Sequence, residues 1–265
     1  MRLWISKFED YTEDVIRKTK KVLPTIGRVL LVSTFLEDGF RLMFNLSIHA
    51  DHFASIWWGG YAFFYCVTLI MAILLLVVPV LVLARFKVTE LCGVLAVVLF
   101  VEIVLYELLT TYRLLIRNFS IFAALLLLVM ENMLRKPKQY DQLPRDENEV
   151  DMTSVILCGC RLFLNLILVS LVKIEFSFSR LIVSFISYGL MIFVWCGYKT
   201  RAMSFVLAIW LFVFNMFTND FWNRETRSDT VRYDFFQTLS AVGGLLLLMH
   251  TGPGDLSVDE FKKKW

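Results

Sequence analysis

Cysteine and histidine are too few and too scattered in this sequence to suggest metal or redox chemistry. None of the five cysteines (Cys66, Cys92, Cys158, Cys160, Cys196) has CxxC spacing, and all fall within or at the ends of apolar runs. They read as small hydrophobes packed among other side chains, without a disulfide framework. The three histidines (His49, His52, His250) lack ligand spacing, so no metal is expected. A glycine-rich phosphate loop, an HExxH helix and a nucleophile motif are all missing, which argues against an enzyme and against a bound cofactor. Net charge is only +3 and gives no ground for a nucleic-acid partner. Residues 1–21 are polar and charged rather than a cleavable signal, so the first apolar run is expected to direct insertion.

What the chain has instead is apolar length. Of its 265 residues, 58% are hydrophobic, 24 of them phenylalanine, and they gather in eight long runs. A run of about 20 apolar residues crosses a bilayer core as a helix, so the class is an all-α polytopic membrane protein. The spans are expected at about 22–44, 57–84, 88–109, 113–134, 152–172, 181–196, 201–222 and 233–250. Trp57, Trp58 and Tyr61 would anchor the second at the membrane surface. Residues 1–21 read as an amphipathic surface segment, 22–134 as a first four-helix unit and 135–151 as a polar linker with two prolines. A second unit, 152–250, and a polar tail, 251–265, complete the chain. The stretch between the first two spans, 45–56, reads as a short loop without lysine or arginine.

Basic residues set the orientation. With the N-terminus cytoplasmic, that side carries about 17 of them against 8 on the other, and both termini are then cytoplasmic. A repeat is also visible. Arg117-Asn118-Phe119-Ser120 with Ala123-Ala124 and four leucines corresponds to Gln237-Thr238-Leu239-Ser240 with Gly243-Gly244 and four leucines. Arg28 to Ser33 more loosely resembles Arg161 to Leu166. Four spans per copy would make the two four-helix repeats parallel.

Polar residues interrupt the spans at one level. Ser33-Thr34-Phe35-Leu36-Glu37-Asp38-Gly39 puts adjacent carboxylates inside the first span, where a charge costs roughly 3 kcal/mol on insertion scales. Glu102 and Glu107, Arg117 and Asn118, Asn215, Asn219 and Asp220, and Asp234 and Gln237 fall at a similar depth in four other spans. Together they outline a polar pocket on the lumenal side. Glu37 and Arg41 stand i,i+4 and are expected to pair. Asp38, about 100° round the helix, then looks to Arg117, or to Arg28 from the cytoplasmic half. Glu107 is placed to pair with Arg113 or Arg117. A structural network and a ligand-facing pocket both remain open; a slight excess of carboxylates leans toward a positively charged ligand. Gly243 and Gly244 permit close helix approach. Ser33 and Ser240 read as donors to backbone carbonyls. The sequon at Asn45-Leu46-Ser47 lies so near the membrane that it is expected to be unused.

The chain ends Lys262-Lys263-Lys264-Trp265. Lys262 and Lys263 fit a dilysine retrieval signal, or simply a basic tail beside an anionic leaflet. With this tail, the 33–39 run and Tyr233-Asp234-Phe235-Phe236-Gln237-Thr238 ahead of Gly243-Gly244, the sequence closely resembles the Surfeit locus protein 4 family, from about Tyr11 to Trp265. The resemblance implies a cargo receptor of the endoplasmic reticulum membrane. Such a receptor would collect soluble secretory proteins, engage the anterograde vesicle coat, and cycle through the intermediate compartment and Golgi apparatus. A retrograde coat would return it by the dilysine tail. It also implies recognition of apolar, proline-containing cargo N-termini; joined to the polar level described above, this leads to the expectation that the α-amine faces Asp38 or Asp234. Membrane lipid is a further partner, a homo-oligomer is compatible with the reading, and a lipid or small-solute transporter or scramblase is the alternative.

Overall fold

The computed structural model describes residues 18–19, 22–107, 112–135, 152–171, 178–220, 222, 229–252, 254 and 257–258. Most of the 1–21 segment, the linker after Arg135, and the tail lysines Lys262 and Lys263 lie outside the described residues. Among those described there are nine helices and no strand. They are α1 (Leu23–Phe44), α2 (Leu46–Ile56), α3 (Tyr61–Leu83), α4 (Val88–Leu105), α5 (Tyr112–Arg135), α6 (Met152–Leu171), α7 (Phe178–Cys196), α8 (Thr200–Thr218) and α9 (Asp229–Thr251).

Among the described residues, four helices are long and apolar enough to cross a membrane: α3, α4, α5 over Leu114–Met133, and α8. The 23 residues of α3 rise about 34 Å, more than the thickness of a hydrocarbon core. Its outward face carries Phe63, Ile70, Ile73, Val77 and Val80, while Ala72, Leu75 and Val82 are buried inward. A helix apolar on both faces is solvated by hydrocarbon outside and by protein inside. The charged helices occupy the opposite situation. α9 is buried continuously over residues 237–249, and α1 lies beside it with Arg28, Glu37 and Asp38 all buried.

Glycine makes that central contact close. A Cβ on Gly243 would stand 2.5 Å from the carbonyl oxygen of Gly27 and 2.7 Å from the amide nitrogen of Leu31. On the next residue, a Cβ at Gly244 would meet Leu164 of α6 at 2.6 Å and Ala124 of α5 at 3.1 Å. The glycine pair therefore lets α9 approach α1 on one side and α5 and α6 on the other. Ser240 donates to Leu31 O at 3.2 Å and Thr34 to Phe236 O at 2.7 Å, stitching the same α1–α9 seam.

The most extensive helix contacts are α9 with α1, followed by α5 with α6; α5 and α9 also pack on each other. Lys87 before α4 and Lys199 before α8 share a left-handed backbone, at φ 38, ψ 47 and φ 47, ψ 47.

Several boundaries differ from the sequence expectation. The expected loop 45–56 is helical from Leu46 onward: it folds into α2, whose Ala50 and Phe53 recur at helical spacing and are buried. The second span begins at Tyr61, leaving Trp57 and Trp58 in the turn before it. The third stops at Leu105, because Tyr106 and Glu107 leave the helix and Glu107 has φ 51. In α8 the helix ends at Thr218, where the Asn219 amide returns to Asn215 O at 2.9 Å.

Candidate functional site

The C-terminal halves of α1 and α4 and the N-terminal halves of α5 and α9 share one end of the bundle, and their polar residues meet there. Arg41 Nη2 donates to Asp38 Oδ1 at 2.8 Å. Arg232 Nε, from the first turns of α9, donates to Glu37 Oε1 at 2.8 Å. Arg117 Nη1 donates to Asp234 Oδ1 at 2.5 Å. Tyr233 lies between two of these pairs, with the Arg41 guanidinium 5.4 Å and that of Arg117 6.0 Å from its ring centroid. Both are within cation–π range of the ring. Gln237 Nε2 donates to the Tyr233 hydroxyl at 2.6 Å, one helical turn further on.

These pairings correct the local expectation. Glu37 pairs across the bundle with Arg232, and Arg41 pairs with Asp38 at i,i+3. One helix turn puts both carboxylates in reach of Arg41, so the choice falls to α9, whose Arg232 arrives from outside the helix. Neither Arg117 nor Arg28 reaches Asp38: Arg117 belongs to Asp234, and Arg28 is at the other end. Glu107 is exposed just past α4, and Asp220 is half-buried just past α8. Neither takes part in the three ion pairs just described. Arg113 has no described side chain, so a pairing with Glu107 lies outside the described residues.

Glu102 of α4 is the exception among the gathered acids. It is 6% exposed and takes part in no hydrogen bond or ion pair among the described residues. Asp38, Arg41 and Glu37 are the charges within its electrostatic reach. Two amide atoms at this level are also buried without a partner, Asn118 Nδ2 and Gln237 Oε1. Below the α9 start, Asn215 Nδ2 donates to Phe235 O at 3.0 Å and Asn219 Nδ2 to Asn215 Oδ1 at 2.7 Å, which fixes α8 against α9.

α2 closes over the α4 end of this site. Trp57 Nε1 donates to Leu105 O at 3.2 Å, and the Tyr106 hydroxyl hydrogen-bonds His49 Nδ1 at 2.9 Å. Phe53 meets the Tyr106 ring edge-on at 4.8 Å between centroids. Arg232, Tyr106 and this aromatic roof are not marked as site residues by any pattern in the sequence. Their signal is weak, since a tyrosine or arginine at a span end resembles an interfacial anchor.

A second buried polar layer occupies the other end. Arg28 pairs with Glu131 of α5, both side chains almost wholly buried. Asn132 Nδ2 donates to Thr89 Oγ1 at 3.3 Å beside it. Arg161 of α6 is also buried, with Nη2 3.4 Å from Cys158 Sγ. Ser33 donates to Leu30 O at 2.6 Å, a backbone contact of the kind expected for it. Among the described residues no group of three or more histidine, cysteine or carboxylate side chains is arranged to hold a metal.

A bundle with hydrocarbon-compatible outer helices and a charged ring buried at one end has the architecture of a helical membrane protein. The chain belongs to the SURF4 family, whose model matches residues 3–265. An uncharacterized protein of Caenorhabditis elegans is 57% identical, over 98% of this chain and 98% of that protein. Surfeit locus protein 4 homolog of Drosophila melanogaster is 34% identical, over 99% of this chain and 98% of its own length. ER-derived vesicles protein ERV29 of Saccharomyces cerevisiae is 31% identical, over 97% of this chain and 83% of its length. No solved structure matches this chain.

Proposed function

We propose that this protein is a cargo receptor of the endoplasmic reticulum membrane that carries soluble secretory proteins into vesicles bound for the Golgi apparatus. Membership in the SURF4 family supports the setting, as does similarity to a yeast protein named for endoplasmic-reticulum-derived vesicles. The observation that carries the binding role is the ring of Glu37, Asp38, Arg41, Glu102, Arg117, Arg232 and Asp234 at one end of the bundle. A single ion pair is enough to hold two helices in register. Seven charges drawn from four helices, beneath aromatic side chains, are more than helix register requires, and charges at bilayer depth are by default functional.

In this reading eight helices span the membrane and α2 lies at the lumenal surface. Residues 22–134 and 152–250 form two parallel repeats. The pairing of α5 with α6 and α9 with α1, and the matched left-handed lysines before α4 and α8, support that arrangement. Both termini face the cytoplasm, where the tail lysines Lys262 and Lys263 would engage the retrograde coat. The ring then faces the lumen and takes the N-terminal peptide of cargo.

The test is site-specific photo-crosslinking in cells. A photoreactive residue at position 232, on the rim of the ring, should capture newly made secretory proteins. The same residue at position 217, where Phe217 is exposed on an outer face, should capture lipid instead. Equal capture of cargo at both positions, or none at position 232, would sink the receptor reading. Lipid flipping by the purified protein in cargo-free vesicles would favour the transporter.

A further inference from the structure

We infer that Glu102 is the acceptor for the α-ammonium group of a bound peptide, an assignment that rests on the receptor reading and names the contact within its site. The first ground is charge balance. Among the described residues the ring holds four carboxylates, Glu37, Asp38, Glu102 and Asp234, against the three guanidiniums of Arg41, Arg117 and Arg232. Each guanidinium is already committed to one acid, and the acid left over is Glu102. Asp38 and Asp234, the acids favoured by sequence, are both neutralised by arginine.

The second ground is burial without a partner. Glu102 is more than nine-tenths buried, its Oε1 is wholly enclosed, and no donor among the described residues reaches it. A lone carboxylate in a low-dielectric site is unfavourable, and a cationic ligand would supply the missing charge. Its position adds to this. Glu102 is in the last turn of α4, the end at which the helix dipole favours a cation.

The third ground separates a peptide from other ammonium compounds. Asn118 Nδ2 and Gln237 Oε1, one donor and one acceptor, are buried and unused at the same level. A peptide backbone beyond its α-amine offers a carbonyl to the first and an N–H to the second. A lipid headgroup bearing a primary amine offers phosphate or ester oxygens to the first but no amide N–H to the second. Cost falls on the empty state, in which three buried polar groups go without partners.

The experiment uses the full-length protein in nanodiscs and a fluorescein-labelled octapeptide beginning Val-Pro-Leu, with its α-amine either free or acetylated. The unsubstituted protein should prefer the free amine by roughly 10- to 100-fold, the range of one hydrogen bond to a charged group. Glu102→Gln should bring the two affinities together, and Glu102→Asp, which keeps the carboxylate, should retain part of the preference. Unfolding temperature measured alongside shows that both variants are folded. A purely structural Glu102 would alter that temperature and leave the preference unchanged. An undiminished preference in Glu102→Gln overturns the assignment while leaving the receptor reading intact. Failure of the unsubstituted protein to bind either peptide overturns both. Displacement of the peptide by short-chain phosphatidylethanolamine, with phosphatidylcholine inert, would assign the site to a lipid amine and overturn the peptide reading.

Discussion

Gly243 lies so close to Gly27 that their helices meet backbone to backbone: a Cβ on Gly243 would come within 2.5 Å of the Gly27 carbonyl oxygen. The obstacle is main chain, which has no rotamer to move out of the way. Gly243→Ala should therefore push α9 off α1 and destabilise the bundle by about 1–3 kcal/mol, the usual cost of overpacking. Gly93→Ala is the control, because a Cβ there has nothing within 4 Å. It should leave thermal unfolding in detergent unchanged or slightly raised. Similar losses for the two variants would show that this glycine contact does not set the helix spacing.

Arg28 and Glu131 test a different layer. They are buried together, so removing one leaves the other charged in a dry interior. Arg28→Met should cost about 3 kcal/mol or more, whereas Arg28→Met combined with Glu131→Leu should recover most of it. The buried thiol of Cys92 supplies the readout, since a thiol-reactive dye reports its exposure as the bundle opens. A double variant no more stable than the single one would contradict the pairing.

The ion pairs at the site end should differ in the same way. Arg232 is 37% exposed beside Glu37, while Arg117 is nearly enclosed beside Asp234. The carboxylate left behind decides the cost: Glu37 is only 7% exposed, so Arg232→Gln takes a cation from a buried acid and should cost about 1–3 kcal/mol. Arg117→Gln leaves Asp234, whose side chain is 28% exposed, within reach of water, so it should cost only about 1 kcal/mol. Exchanging the charges, Arg117→Asp with Asp234→Arg, should restore part of that loss if the two act as a pair. Abundance and unfolding temperature of the purified variants decide it.

The helices were legible in the sequence because hydrocarbon imposes length and apolarity on any span, whatever its neighbours. Partners were harder to read, because they depend on which helix stands alongside. Glu37 is separated from Arg232 by 195 positions, and only the α1–α9 contact brings them together. Counting i,i+4 neighbours assigned Arg41 to the wrong acid for that reason. Glu131 was overlooked because Met130-Glu131-Asn132 runs toward a highly charged linker and resembles a span end, although Arg28, 103 positions away, draws it inside. The level of the polar residues was readable, since depth follows from residue count at 1.5 Å per step. α2 escaped because eleven residues are too few to span a bilayer, and His49, Asp51 and His52 interrupt its apolar positions. Its burial comes from Phe53 meeting Tyr106, a contact that no local pattern announces.

Tyr233 separates two roles that sequence alone would merge. Its ring lies near the Arg41 and Arg117 guanidiniums, and its hydroxyl receives the Gln237 amide. Tyr233→Phe keeps the ring and removes only the hydroxyl, leaving the Gln237 Nε2 donor buried without an acceptor. That should cost about 1–3 kcal/mol while the arginines stay in place. Tyr233→Ala also removes the surface between the two cations, which repel each other once the ring is gone. The Ala variant should therefore lose more stability than the Phe variant. The loss should shrink in a Tyr233→Ala background that also carries Arg41→Gln and Asp38→Asn, because one of the two facing cations is then absent. A double-mutant comparison of unfolding temperatures in detergent measures that coupling. If the two backgrounds lose the same amount, the ring contributes packing alone and does not hold the arginines apart.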